Sequence, residues 1–116
     1  ILWNNIFFEI PIFTKLAIDD AHKQCKLYNC ELIIAYIPGN IDIRKDLYNS
    51  KFNQSIKEYT KTKSIKFFDF EEVIYNNKNF KKYYSIQGSH LSVFGASEFA
   101  RIFLKKFINS NVSSNN

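Results

Sequence analysis

From Ile12 to Tyr28, apolar side chains recur three and four residues apart, at Phe13, Leu16, Ala17, Ala21, Cys25 and Tyr28. Lys15, Asp19, Asp20 and Lys23 fall between them. Residues at that spacing share one face of a helix, so the pattern predicts an amphipathic helix with this stripe turned inward. Asn29 supplies a stop signal. Leu32 to Ile37, LIIAYI, is instead an unbroken apolar run of strand length closed by Pro38-Gly39. A strand covered on both faces reads this way, as in a parallel sheet flanked by helices. A loop follows over Asn40 to Asp46. Apolar positions at Leu47, Tyr48, Phe52, Ile56 and Tyr59 then predict a second helix, Leu47 to Lys61. Ile65 to Phe70, IKFFDF, is a second strand. Strand, helix and strand over this length match a right-handed βαβ unit.

Glu71 to Tyr75 reads as a short helical turn, and Asn76 to Ser89, rich in Asn, Lys and Tyr, as a loop. Ser92 to Ile108 predicts a third helix with Ala96, Phe99, Ala100, Phe103 and Phe107 as its inner stripe. Its last turn carries Lys105 and Lys106, where the helix dipole favours cations. Residues 1–11 read as an extended or irregular lead-in, and the polar NSNVSSNN as a disordered tail. The expected architecture is α/β, with residues 1–108 in one domain and 109–116 as the tail.

Composition narrows the class. The 116 residues suit one compact domain or part of a larger one. Apolar residues make up 46% and aromatics 17%, enough to bury a core and to exclude a disordered chain. The net charge of +5 could serve nucleic acid. Of the sixteen basic residues, however, only Arg44 and Arg101 are arginine, the side chain whose fork suits phosphate, and the lysines are spread along the chain. We therefore expect no nucleic-acid partner. No run of 18 apolar residues occurs, so no helical membrane span is expected. The first residues lack the basic region and cleavage site of a signal peptide. With no initiating Met and an apolar start at Ile1, the chain is expected to begin inside a gene or domain.

Cys25 and Cys30 lack the further ligands a zinc site needs, and we expect small buried or half-buried thiols and no metal or cofactor. His22 is expected on the polar side of the first helix. His90 stands between a loop and a helix, at the C-terminal side of the expected sheet. Ligands and catalytic groups gather there in open α/β folds. An imidazole suits proton transfer near neutral pH, the alternative being a loop histidine that caps or packs. Ser92 is expected to cap the last helix, and Ser85 and Ser89 to be loop serines. Asp69 ends the second strand. It is either a carboxylate that orients His90 or a cap for the turn that follows.

The segment QGSHLSVFGASEFA, Gln87 to Ala100, resembles the histidine block of SGNH (GDSL-like) hydrolases: a loop histidine, a few residues, a glycine, then a helix of small and apolar residues. LIIAYIPGN resembles the strand-plus-proline segment these enzymes carry, and FFDFEEV with YYSIQGSH resembles the run into their histidine. The resemblance spans about residues 12–108. It implies a flavodoxin-like three-layer sandwich with a parallel sheet, lacking its N-terminal portion, and a serine esterase or acyl-transfer activity. His90 would be the general base. Gly95 would let the last helix start close to the sheet. Gln87 stands where the family has an aspartate; it can orient a ring by hydrogen bonding but cannot stabilise an imidazolium as a carboxylate does. No Gly-Asp-Ser turn occurs in the sequence, so the nucleophile is expected upstream of Ile1, and the chain alone is expected to be inactive. The substrate would be a small-molecule or carbohydrate ester. The alternative is a non-catalytic module of the same fold used for binding or carbohydrate-related assembly.

Overall fold

A computed structural model of the chain describes residues 10–39, 51–77, 79–87 and 90–109. The expected lead-in over residues 1–9, the loop from Asn40, the start of the second helix at Leu47 and Tyr48, Ser89 and the tail lie outside the described residues. The architecture is mixed α/β, mostly helical, with a two-stranded parallel sheet. The chain divides into two compact units, one drawn from Ile1–Tyr36 and Asn49–Asp69, the other from Ile37–Tyr48 and Phe70–Asn116.

The first unit contains α1 (Ile12–Leu27), β1 (Ile33–Tyr36), α2 (Lys51–Thr62) and β2 (Lys66–Asp69). The strands pair in parallel from Ile33 opposite Lys66 to Tyr36 opposite Asp69. Both helices end the same way. Asn29 and Ser64 adopt left-handed backbone, φ 53° and 56°. Cys30 N–H donates to the Cys25 carbonyl at 2.8 Å, and Ile65 N–H to the Thr60 carbonyl at 2.9 Å. Asn29 N–H and Ser64 N–H close the inner bonds, to Lys26 and Lys61. These are two Schellman caps, which satisfy the last helical carbonyls and turn the chain toward each strand. The stop signal at Asn29 thus has a mechanism, since Asn tolerates this backbone better than most side chains.

The core of this unit is Ile18, Ile56 and Ile65, with Ile10, Leu32, Ile34, Tyr59 and Phe67 packed against it. The helix faces differ from those expected. On α1, Ile18 is buried at 6% exposure, whereas Phe13 is 83% exposed and Tyr28 78%. Thr14, Ile18, Ala21, His22 and Cys25 form the covered stripe, about one residue round the helix from the predicted one. Packing of Ile18 with Ile56 and Ile65 sets that rotation. So do the hydrogen bond from the Tyr59 hydroxyl to Asp19 and the stacking of Lys15 over the Tyr59 ring. On α2 the buried residues are Asn53, Ile56 and Thr60, while Phe52 is exposed. β1 is half-buried, with Ala35 exposed, and is not covered on both faces as LIIAYI suggests. Apolar composition alone does not supply the covering layers that a parallel sheet requires.

The second unit contains α3 (Phe70–Tyr75), a 3₁₀ turn (Phe80–Tyr83) and α4 (Val93–Leu104), which continues as a π-helical turn over Lys105–Asn109. Phe70, Glu71, Ile74, Tyr83 and Tyr84 are buried. Phe70 packs edge-on against Tyr83 and Phe99, centroids 6.0 and 5.1 Å apart. Tyr83 meets Phe94 at 5.2 Å, and Phe99, Phe103 and Phe107 follow one another along α4 and its last turn. Such aromatic contacts are worth about 0.5–1.5 kcal/mol each beyond the area they cover. The phenylalanines of the predicted α4 stripe therefore pack, but Ala96 and Ala100 are exposed. Among the described residues, no helix is long and apolar enough to cross a membrane.

Candidate functional site

His90 lies on a small hairpin that launches α4. Tyr84 and Leu91 form an antiparallel bridge. On either side, Ser85 N–H donates to the His90 carbonyl at 2.9 Å and Ser92 N–H to the Tyr83 carbonyl at 2.8 Å. Three features hold this hairpin in place. Tyr84 is buried, and its hydroxyl donates to the Pro38 carbonyl at 2.8 Å. Ser92 caps α4, its Oγ accepting from Gly95 N–H at 3.0 Å and donating to the Lys82 carbonyl at 2.5 Å. Gly95 is buried against the Tyr83 backbone, where an added Cβ would stand 2.1 Å from the carbonyl oxygen. The glycine therefore seats the helix on the 3₁₀ turn, because only a residue without Cβ fits so close to a backbone carbonyl. Ser92 is the cap its position implies.

The His90 side chain is exposed, and so is Gln87. The Ser85 hydroxyl donates to the Gln87 carbonyl at 2.6 Å. Among the described residues, no side chain hydrogen bonds to the His90 imidazole or to the Gln87 amide. Asp69 belongs to the first unit, where both carboxylate oxygens accept from Asn53 Nδ2 at 3.2 Å and Lys57 Nζ stands 3.9 Å away. Its side chain is only 10% exposed, so the Asn53 contact is a substantial part of its environment. The polar Asn53 on the covered face of α2 was missed in the sequence, because only the strand end it meets gives it a partner. On α4, Arg101 grips Glu98 through two bonds of 2.7 and 3.1 Å and holds that carboxyl below its usual range.

Elsewhere in the first unit, His22 is half-buried and lines an open depression of about 390 Å³ with Asp19, Lys23, Lys26, Leu27 and Lys63. The hydrogen bond to Asp19 pushes the Tyr59 phenol up to about 12, with burial and the carboxylate's charge adding to it. Cys25 is half-buried, but Cys30 is exposed, contrary to the expected covered thiol. Among the described residues, no cluster of three or more His, Cys, Asp or Glu could hold a metal ion. Comparison with protein-family models, with curated proteins and with solved structures found no match to the chain.

Proposed function

We propose that the chain is the C-terminal part of an SGNH-type α/β domain of flavodoxin-like, three-layer architecture that hydrolyses or transfers acyl groups of small-molecule or carbohydrate esters. The observation that carries this reading is an exposed imidazole on the hairpin that launches the glycine-seated helix α4. Catalysis by a histidine base needs a ring that solvent and substrate can reach, on backbone that does not drift. The exposure of His90 meets the first need. The Tyr84 anchor, the Ser92 cap and the Gly95 contact meet the second. In this reading His90 removes the proton from a serine hydroxyl as it attacks the ester carbonyl, then returns it to the leaving alkoxide. The sequence holds no Gly-Asp-Ser turn, so the serine belongs to a part of the domain outside these residues. The exposed Phe13 and Leu16 on α1 are the kind of surface that further layers of such a domain would cover.

The test uses a gene product that carries a nucleophile block ahead of Ile1. His90→Ala is expected to lower ester hydrolysis by about 10³-fold or more, with the fold retained. Unchanged hydrolysis sinks the assignment. One observation favours a second reading, a binding module of the same fold without catalysis: Gln87 stands in place of a carboxylate, and Asp69 is engaged by Asn53 and Lys57. An imidazole without a carboxylate partner is a weaker base system. That module would bind its carbohydrate ligand unaltered and release no acid from any ester offered to it.

A further inference from the structure

The Schellman cap of α1 does more than end a helix. Its geometry brings the side chain just past the left-handed residue against the last full turn, a contact usually made by two apolar groups. Here both positions are cysteine. Cys30 N–H bonds the Cys25 carbonyl at 2.8 Å across the left-handed Asn29. Cys30 is exposed, Cys25 half-buried, and neither is in a disulfide. The two line one hollow of about 290 Å³, together with His22, Glu31 and Lys66. Interaction with the Cys30 side chain, and then burial, pushes the Cys25 thiol above its usual value. The adjacent helix C-terminus also disfavours a thiolate at Cys25. The exposed Cys30 is therefore the sulfur that an oxidant reaches first.

We propose that Cys25 and Cys30 are a reversible dithiol–disulfide pair, oxidised by a hydroperoxide, that staples the end of α1 to the segment leading into β1. The Cys30 thiolate attacks the terminal peroxide oxygen, and the O–O bond breaks, leaving a sulfenic acid on Cys30 and water once the leaving hydroxide takes up a proton. The Cys25 sulfur then attacks the Cys30 sulfur, the S–O bond breaks and a second water leaves. Two thiols and one hydrogen peroxide become one disulfide and two waters. A small-molecule thiol reverses the step by exchange. Nothing in this inference depends on the esterase reading.

Cysteines five apart can also pair in an unfolded chain, so the test separates prepositioning from mere nearness. The full chain, folded or denatured in guanidinium, is equilibrated in glutathione redox buffers, quenched by alkylation and read by mass spectrometry. The folded chain is expected to favour the intramolecular disulfide about tenfold or more over the denatured one, since the cap has already ordered both residues. Hydrogen peroxide should give the same monomeric species, two hydrogens lighter and reversible by dithiothreitol. Cys25→Ser should leave Cys30 carrying glutathione, and Asn29→Gly, which keeps the left-handed cap, should preserve the folded-chain advantage. Equal values in the folded and denatured chains overturn the proposal. So does an oxidised product confined to Cys30 while Cys25 remains open to alkylation.

Discussion

Replacing Gly95 with alanine tests whether the backbone contact that seats α4 is as tight as it looks. At an ordinary helical position this change adds about 1 kcal/mol of stability through better helix propensity. Here the new methyl would stand 2.1 Å from the Tyr83 carbonyl oxygen, 2.9 Å from the carbonyl carbon and 3.1 Å from the Cα. All three atoms are backbone, so no rotamer change relieves the clash. The helix start and the 3₁₀ turn must separate by about 1 Å to restore an ordinary contact. That movement strains the bonds from Ser92 N–H to the Tyr83 carbonyl and from Ser92 Oγ to the Lys82 carbonyl. Overpacking costs about 1–3 kcal/mol, and each lost bond about 1 kcal/mol. After the propensity gain is offset, the net loss is about 2–4 kcal/mol, a large share of the stability of an ordinary domain. Urea unfolding measures it, with the midpoint expected to fall by about 1–2 M. Ala96→Gly, at an exposed position of the same helix, is the control and should cost only about 1 kcal/mol. If Gly95→Ala leaves the midpoint unchanged or raises it, the close approach to Tyr83 is wrong, and the support claimed for the His90 hairpin goes with it.

Other substitutions probe the remaining supports. Ser92→Ala removes the α4 cap and should cost about 1 kcal/mol, whereas Ser92→Asp, which still accepts from the helix N–H groups, should recover most of it; thermal melting distinguishes the two. Asp69→Ala takes away the acceptor that Asn53 uses within the first unit, and should cost about 1–3 kcal/mol in denaturant unfolding. A midpoint that does not move would show that this carboxylate is not structural. Tyr59 should titrate at about 12 in the folded chain, followed by phenolate absorbance, and Asp19→Asn should bring it back toward 10. Because the folded value is raised, the Tyr59–Asp19 bond stabilises fully below pH 10. Its contribution is lost as pH rises from about 10 to about 12. Tyr59 titrating near 10 in the folded wild-type chain would refute the bond.

The sequence by itself determined the order and kind of the elements. Three- and four-residue spacing marked α1, α2 and α4, the LIIAYI and IKFFDF runs marked the two strands, and Ser92 and Asn29 marked a helix start and a helix end. These depend on local backbone preferences and near neighbours, which the letters carry directly. The Ser92 cap and the glycine three residues after it were legible in the same way, at fixed offsets from the start of α4. Which side of each helix turns inward was decided only by tertiary structure. Both α1 and α2 present apolar residues on more than one face, so hydrophobicity left the rotation open. Ile18 meeting Ile56 and Ile65, and Asn53 meeting Asp69, closed it. Gly95 was visible as a small residue, but its seat on the Tyr83 carbonyl was not, because a contact across twelve residues of chain is written in neither partner alone. The shared hollow of Cys25 and Cys30 likewise needed the left-handed turn at Asn29, which folds Cys30 back so that its N–H reaches the Cys25 carbonyl.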